Sequence, residues 1–188
     1  SNQNNKSKTP SELAEILTKF YGRSFSEMIY TKGVGISGRI RFSEIQKNTD
    51  RELDSIIEII SDPNNKSFYN KNEPGANFAG YVWAEDFFRV TGEKKYIEIL
   101  TKYANLYKIS NPKYPPEPSD ISFRSEDIFF TSALLGRAYN FTKNLTFSKI
   151  LFQYLNNITT QKPDGLFKHN ISTPWNWGRS NGFAAIGY

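Results

Sequence analysis

Apolar residues recur along this chain at the three-and-four spacing of an amphipathic helix, and the two-residue alternation of a strand is nearly absent. In residues 11–21 the apolar positions are Leu13, Ile16, Leu17 and Phe20, with Ser11 placed as the N-cap. The same spacing predicts helices over 36–47, 50–60, 78–90, 93–107, 128–141 and 147–158. Residues 181–188 read as the opening turns of one more apolar helix. The chain is therefore expected to be all-α.

Three of the joints between these helices are alike. RFSEIQKNTDRELDSII at 41–57, DFFRVTGEKKYIEIL at 86–100 and AYNFTKNLTFSKIL at 138–151 each end an apolar helix, turn through a short linker centred on Thr, and start the next helix. Each second helix opens with a large apolar anchor: Leu53, Tyr96 and Phe147, spaced 43 and then 51 residues apart. Helical hairpins repeated at that interval form either an open solenoid or a closed ring. The segments between hairpins, 63–77, 110–126 and 159–181, are long, unequal and rich in Pro, Asn and aromatics. Such loops gather where sites are built, and they favour the ring.

Composition narrows the chemistry. The 188 residues include no Cys and one His, which excludes a disulfide framework, a thiolate or multi-His metal site and a cysteine nucleophile. No cofactor is expected. A net charge of +5 without a basic stripe argues against nucleic acid as partner, and no stretch approaches a membrane span. Residues 1–10, SNQNNKSKTP, read as a disordered polar tail, and 11–188 as one domain. Such a tail is either an ordinary chain end or the tether after the lipidated cysteine of a bacterial lipoprotein. The second origin would place the protein in the periplasm or outside the cell, with a lipid anchor upstream of Ser1.

Two places carry candidate chemistry. Asp127 stands where a polar loop becomes the most apolar helix in the chain. An acid there either caps the helix or serves as a general acid/base at the mouth of the ring. A helix N-terminus lowers its pKa, whereas burial and the neighbouring Glu126 raise it. The second place is the loop DGLFKHNISTPWNWGRSNGF, which concentrates His169, Trp175, Trp177, Arg179 and Asn181. Indole faces stack on sugar rings, a guanidinium pairs with a carboxylate in two-pronged fashion, and an amide reads hydroxyls. The alternative is a loop whose tryptophans merely cover the core.

The blocks WGRSNGF at 177–183 and DGLFKH at 164–169 resemble the W-x-R-G-N-G-W and D-G-L-x-x-H motifs of the unsaturated glycuronyl hydrolases, glycoside hydrolase families 88 and 105. EDIFFTSALLGRAY at 126–139 is similar to that family's segment in which an Asp opens an apolar helix, and VTGEKKY at 90–96 to its hairpin turn. The resemblance covers roughly residues 34–188. It implies an (α/α)6 barrel, six helical hairpins in a ring. It also implies that Asp127 protonates C4 of a 4,5-unsaturated uronic acid and activates water for addition at C5. His169, Trp177, Arg179 and Asn181 then line the substrate pocket, and the partner is an oligosaccharide left by a polysaccharide lyase.

Ser180 and Phe183 depart from the family's Gly and Trp, Ser122 stands near the place of a family His, and Asn77 near that of a second carboxylate. Twelve helices with long loops need on the order of 300 residues, so part of a ring is expected here. The rival reading is a non-catalytic helical-repeat module that binds a protein or glycan. The enzyme reading expects Asp127 and Arg179 to share one cleft.

Overall fold

The computed structural model describes residues 7–24, 27–61 and 74–188. Its elements are α1 (Pro10–Phe20), α2 (Tyr30–Gln46), α3 (Thr49–Ser61), α4 (Pro74–Ala79), a 3₁₀ turn (Gly80–Val82), α5 (Trp83–Thr91), α6 (Lys94–Ala104), α7 (Glu126–Thr142), α8 (Leu145–Asn156) and α9 (Gly178–Gly187). Extended pairing among the described residues is confined to the isolated bridges Lys108–Glu117, Gln161–Phe167 and Lys168–Asn176. The protein is all-α.

Helices α2, α5 and α7 pack on the helices that follow them, α3, α6 and α8. They also neighbour one another: α2 lies against α4 and α5, α4 against α7, and α7 against α9. The result is one layer of successive helices backed by a second. Burial follows from the positions. In the first layer, α7 buries residues on nearly every side, among them Ile128, Phe130, Thr131, Leu134, Leu135 and Ala138. In the second layer, α8 buries the single stripe Phe147, Ile150 and Tyr154, and α6 buries Tyr96, Leu100 and Ala104. The expected anchors Leu53, Tyr96 and Phe147 all enter the shared core. Truncating one as large as Phe147 to Ala costs about 3–5 kcal/mol.

The Thr-centred joints have a physical basis. Helices α5 and α7 end on Gly92 and Lys143 in the left-handed conformation. Just before each, Thr91 and Thr142 donate to the carbonyls of Phe87 and Ala138, both at 2.7 Å. The same hydroxyls accept from the N–H of Glu93 and Asn144, both at 3.2 Å. One hydroxyl thus closes the old helix and steers the chain into the next. The first joint turns at left-handed Lys47 instead, and its Thr49 begins α3.

Several boundaries differ from the sequence reading. Helix α2 starts at Tyr30, and the helix expected over 78–90 is broken by the turn at Gly80–Val82. A Cβ on Gly33 would lie 2.0 Å from the Gly80 carbonyl oxygen, so the two backbones touch there. Glycines that read as a weak helix are the contact surface of a crossing. Helix α1 is capped by Thr9, not Ser11: Thr9 and Glu12 bond reciprocally and Pro10 takes the first turn. Of the expected tail, residues 1–6 lie outside the described residues, and Thr9 and Pro10 are helix start.

Candidate active site

The N-terminal ends of α2, α7 and α9 converge on a cleft of about 350 Å3, lined by Tyr30, Arg124, Glu126, Phe130, His169 and Arg179. None of the three helices has a side-chain cap, their N-cap residues being Ile29, Ser125 and Trp177. Uncapped N–H groups and aligned peptide dipoles make such ends hospitable to anions. The loops between α6 and α7 and between α8 and α9 meet over them. Ser125 N donates to His169 O at 2.9 Å, and Ile171 N to Ser122 O at 3.0 Å. Aromatics form the floor, with Tyr30 4.9 Å from Phe130 and 5.5 Å from Phe183 between ring centroids.

Glu126 is the acid that faces this space. Its Oε2 lies 3.2 Å from Nδ1 of His169 and its Oε1 3.5 Å from Nη2 of Arg179. The Arg179 guanidinium lies 3.7 Å over the Trp177 ring, and His169 meets the same indole edge-on at 5.1 Å. Stacking on the indole confines the guanidinium while leaving it more than half exposed. A carboxylate, an imidazole, two guanidiniums and a phenol therefore ring one opening.

Asp127 is not part of that opening. It is 1% exposed and turned inward. Its Oδ2 accepts from Asp120 N at 3.0 Å and lies 3.6 Å from Nε of Arg124. Burial pushes its pKa up to about 6, against the pull of Arg124 and of the Asp120 N–H. The enzyme reading expected Asp127 and Arg179 in one cleft; the structure sets them apart, which counts against that reading as framed on Asp127. On a helix, adjacent residues project about a quarter-turn or more apart, so only one of two neighbours in the first turn faces a given cleft. That residue is Glu126.

Asn181 also has a different task from the one expected. Its Nδ2 donates to the carbonyls of Phe167 at 3.2 Å and Trp177 at 2.9 Å, and its Oδ1 accepts from Phe167 N at 2.9 Å. The amide clamps the loop that presents His169 to the start of α9. His169, Trp177 and Arg179 do come together as expected. Sequence reasoning missed Tyr30, Arg124 and Glu126 as residues of this cleft. Glu126 carried a signal, since it precedes Asp127 in the same turn, but only three-dimensional placement separates the pair. Asn77 is fully buried and donates to Met28 O at 2.7 Å.

Among the described residues no cluster of three or more His, Asp or Glu is placed to hold a metal, and no helix is long and apolar enough to cross a membrane. No family model, curated protein or solved structure matches the chain.

Proposed function

We propose that this chain is part of an unsaturated glycuronyl hydrolase of the (α/α)6-barrel kind, with Glu126 rather than Asp127 as its acid/base. One observation supports this most: Glu126 lies between His169 and Arg179 in a cleft formed by three uncapped helix ends. Each part has a use for a planar, anionic sugar. Arg179 and Arg124 accept the uronate carboxylate, the Trp177 indole and the aromatic floor take the flattened ring, and Tyr30 faces its hydroxyls. A solenoid that only binds a partner has no need to gather these groups in one opening.

In the reaction, Glu126 delivers a proton to C4 of the C4–C5 double bond. The electron pair of that bond forms the new C4–H bond and leaves positive charge at C5, shared with the ring oxygen. Water then adds to C5, giving its proton to the Glu126 carboxylate, which is restored to the acid form. The product is a hemiketal that opens and releases the attached sugar. One carboxyl group performs both transfers, unlike the two-carboxylate displacement of ordinary glycosidases. The His169 imidazole stands beside that carboxyl group, with Nδ1 3.2 Å from Oε2.

The reading is tested on products. The full-length protein is incubated with lyase-generated oligosaccharides that carry a 4,5-unsaturated uronate at the non-reducing end, and the mixture is analysed by mass spectrometry. Release of a shortened sugar together with a keto-uronic acid, at the cost of one water, is the expected outcome. Intact oligosaccharides across glucuronate- and galacturonate-derived substrates would refute it.

A further inference from the structure

We infer that Asp127 is the positioning residue of this cleft: it fixes Arg124, and through Arg124 the docking of an anionic substrate group. The inference rests on the carbohydrate reading for what the cleft binds, but not for how Arg124 is held.

Arg124 is the last loop residue before the N-cap of α7, and its side chain lines the cleft. Its Nε edge is turned toward Oδ2 of Asp127 at 3.6 Å. The same oxygen accepts from Asp120 N at 3.0 Å, so one carboxylate holds both the start and the end of the 120–124 segment. Within the segment, Asp120 Oδ1 accepts from Ser122 N at 2.8 Å and from Ser122 Oγ at 2.6 Å. On the other side, Oδ1 of Asp127 is pressed against Gly75, where a Cβ would stand 2.8 Å away.

Three unfavourable features coincide here. A carboxylate is buried almost completely, with the Arg124 guanidinium at 3.6 Å as its ion pair. Phe123, next to Arg124, has φ 55°, a left-handed conformation that a bulky residue adopts only under constraint. A Cβ at Gly75 would displace the Asp127 carboxylate. The first two adjoin Arg124, one through its ion pair and the other through the preceding residue. Strain retained in this way marks a functional position.

The test combines a spectroscopic and a kinetic arm on the full-length protein. In Asp127→Asn the amide still accepts from Asp120 N but turns a donor toward the guanidinium. The Arg124 Nε–H signal should shift from its wild-type position and broaden as the ion pair is lost. KM for an unsaturated disaccharide should rise roughly tenfold at pH 7, with kcat changing less than threefold. Arg124→Lys should reproduce the KM effect, and the double variant should be no worse than either single one. An unchanged Arg124 signal in Asp127→Asn overturns the positioning role whether or not the protein turns over uronides. A lost signal with unchanged KM in an active enzyme overturns its link to substrate. If Asp127→Asn fails to fold, Arg124→Lys decides: unchanged KM overturns the proposal. Absence of turnover in the wild type sinks only the carbohydrate reading, because the spectroscopic arm still decides the placement of Arg124.

Discussion

Glu126 and Asp127 are adjacent in the first turn of α7 and serve opposite sides of it: Glu126 reaches His169 at 3.2 Å in the open cleft, whereas Asp127 takes the Asp120 N–H at 3.0 Å in the interior. The division of labour follows from helix geometry. Under the proposed function, proton transfer falls to the first acid and loop architecture to the second.

The buried acid gives a signed prediction for stability. The folded-state pKa of Asp127 is about 6, above the ordinary value of 3.8. Between those values the folded chain binds more protons than the unfolded one, so stability falls as pH rises from about 4 to about 6 and is level above. The full effect is on the order of 3 kcal/mol, about two units at 1.36 kcal/mol each. Urea unfolding of wild type and Asp127→Asn across pH 4–7 isolates it. The wild type should lose stability relative to the variant as pH rises, and parallel curves would contradict the burial of an ionisable carboxyl.

Arg179 is expected to matter for substrate and little for folding. It is over half exposed, and its contacts are the Trp177 face and one oxygen of Glu126. Arg179→Lys keeps the charge but loses the planar fork and most of the stacking. KM should rise about ten- to a hundredfold, as expected for a charge-assisted bond worth about 1.5–3 kcal/mol, while the melting temperature barely moves. A fall in melting temperature with unchanged KM would make Arg179 a structural residue.

Asn181 should behave in the opposite way. Asn181→Ala removes three hydrogen bonds to the backbone of Phe167 and Trp177. Leaving these groups half-buried without partners costs about 1–3 kcal/mol. The melting temperature should drop, and kcat should fall with it as His169 loses its placement. A variant with wild-type melting temperature and a specific KM defect would return Asn181 to the substrate pocket.

The layered hairpins were legible in the sequence because helix periodicity survives wherever one face of a helix is solvated, as in α6 and α8. Helices of the first layer are harder to bound. The glycines of α2 weaken the apparent helix, although Gly33 is where its backbone meets Gly80. Of the site, the blocks around His169 and Arg179 were legible as a dense mixture of aromatic and polar groups. The choice between Glu126 and Asp127 was not, because both are acids in the same helical turn and only the orientation of α7 decides which one meets the cleft. The roles of Arg124 and Asn181 depend on contacts between loops, which leave no periodic trace.

The most direct measurement of the central claim is the ultraviolet absorbance of an unsaturated uronide, which disappears when its conjugated double bond is hydrated. Wild type, Glu126→Gln and Asp127→Asn are compared at saturating substrate, with melting temperatures recorded on the same preparations. Glu126→Gln should melt like the wild type and lose absorbance about 10²–10⁴ times more slowly, the usual cost of removing an acid/base group. Asp127→Asn should keep most of its turnover. Wild-type turnover in Glu126→Gln, or its abolition in a folded Asp127→Asn alone, would contradict the assignment.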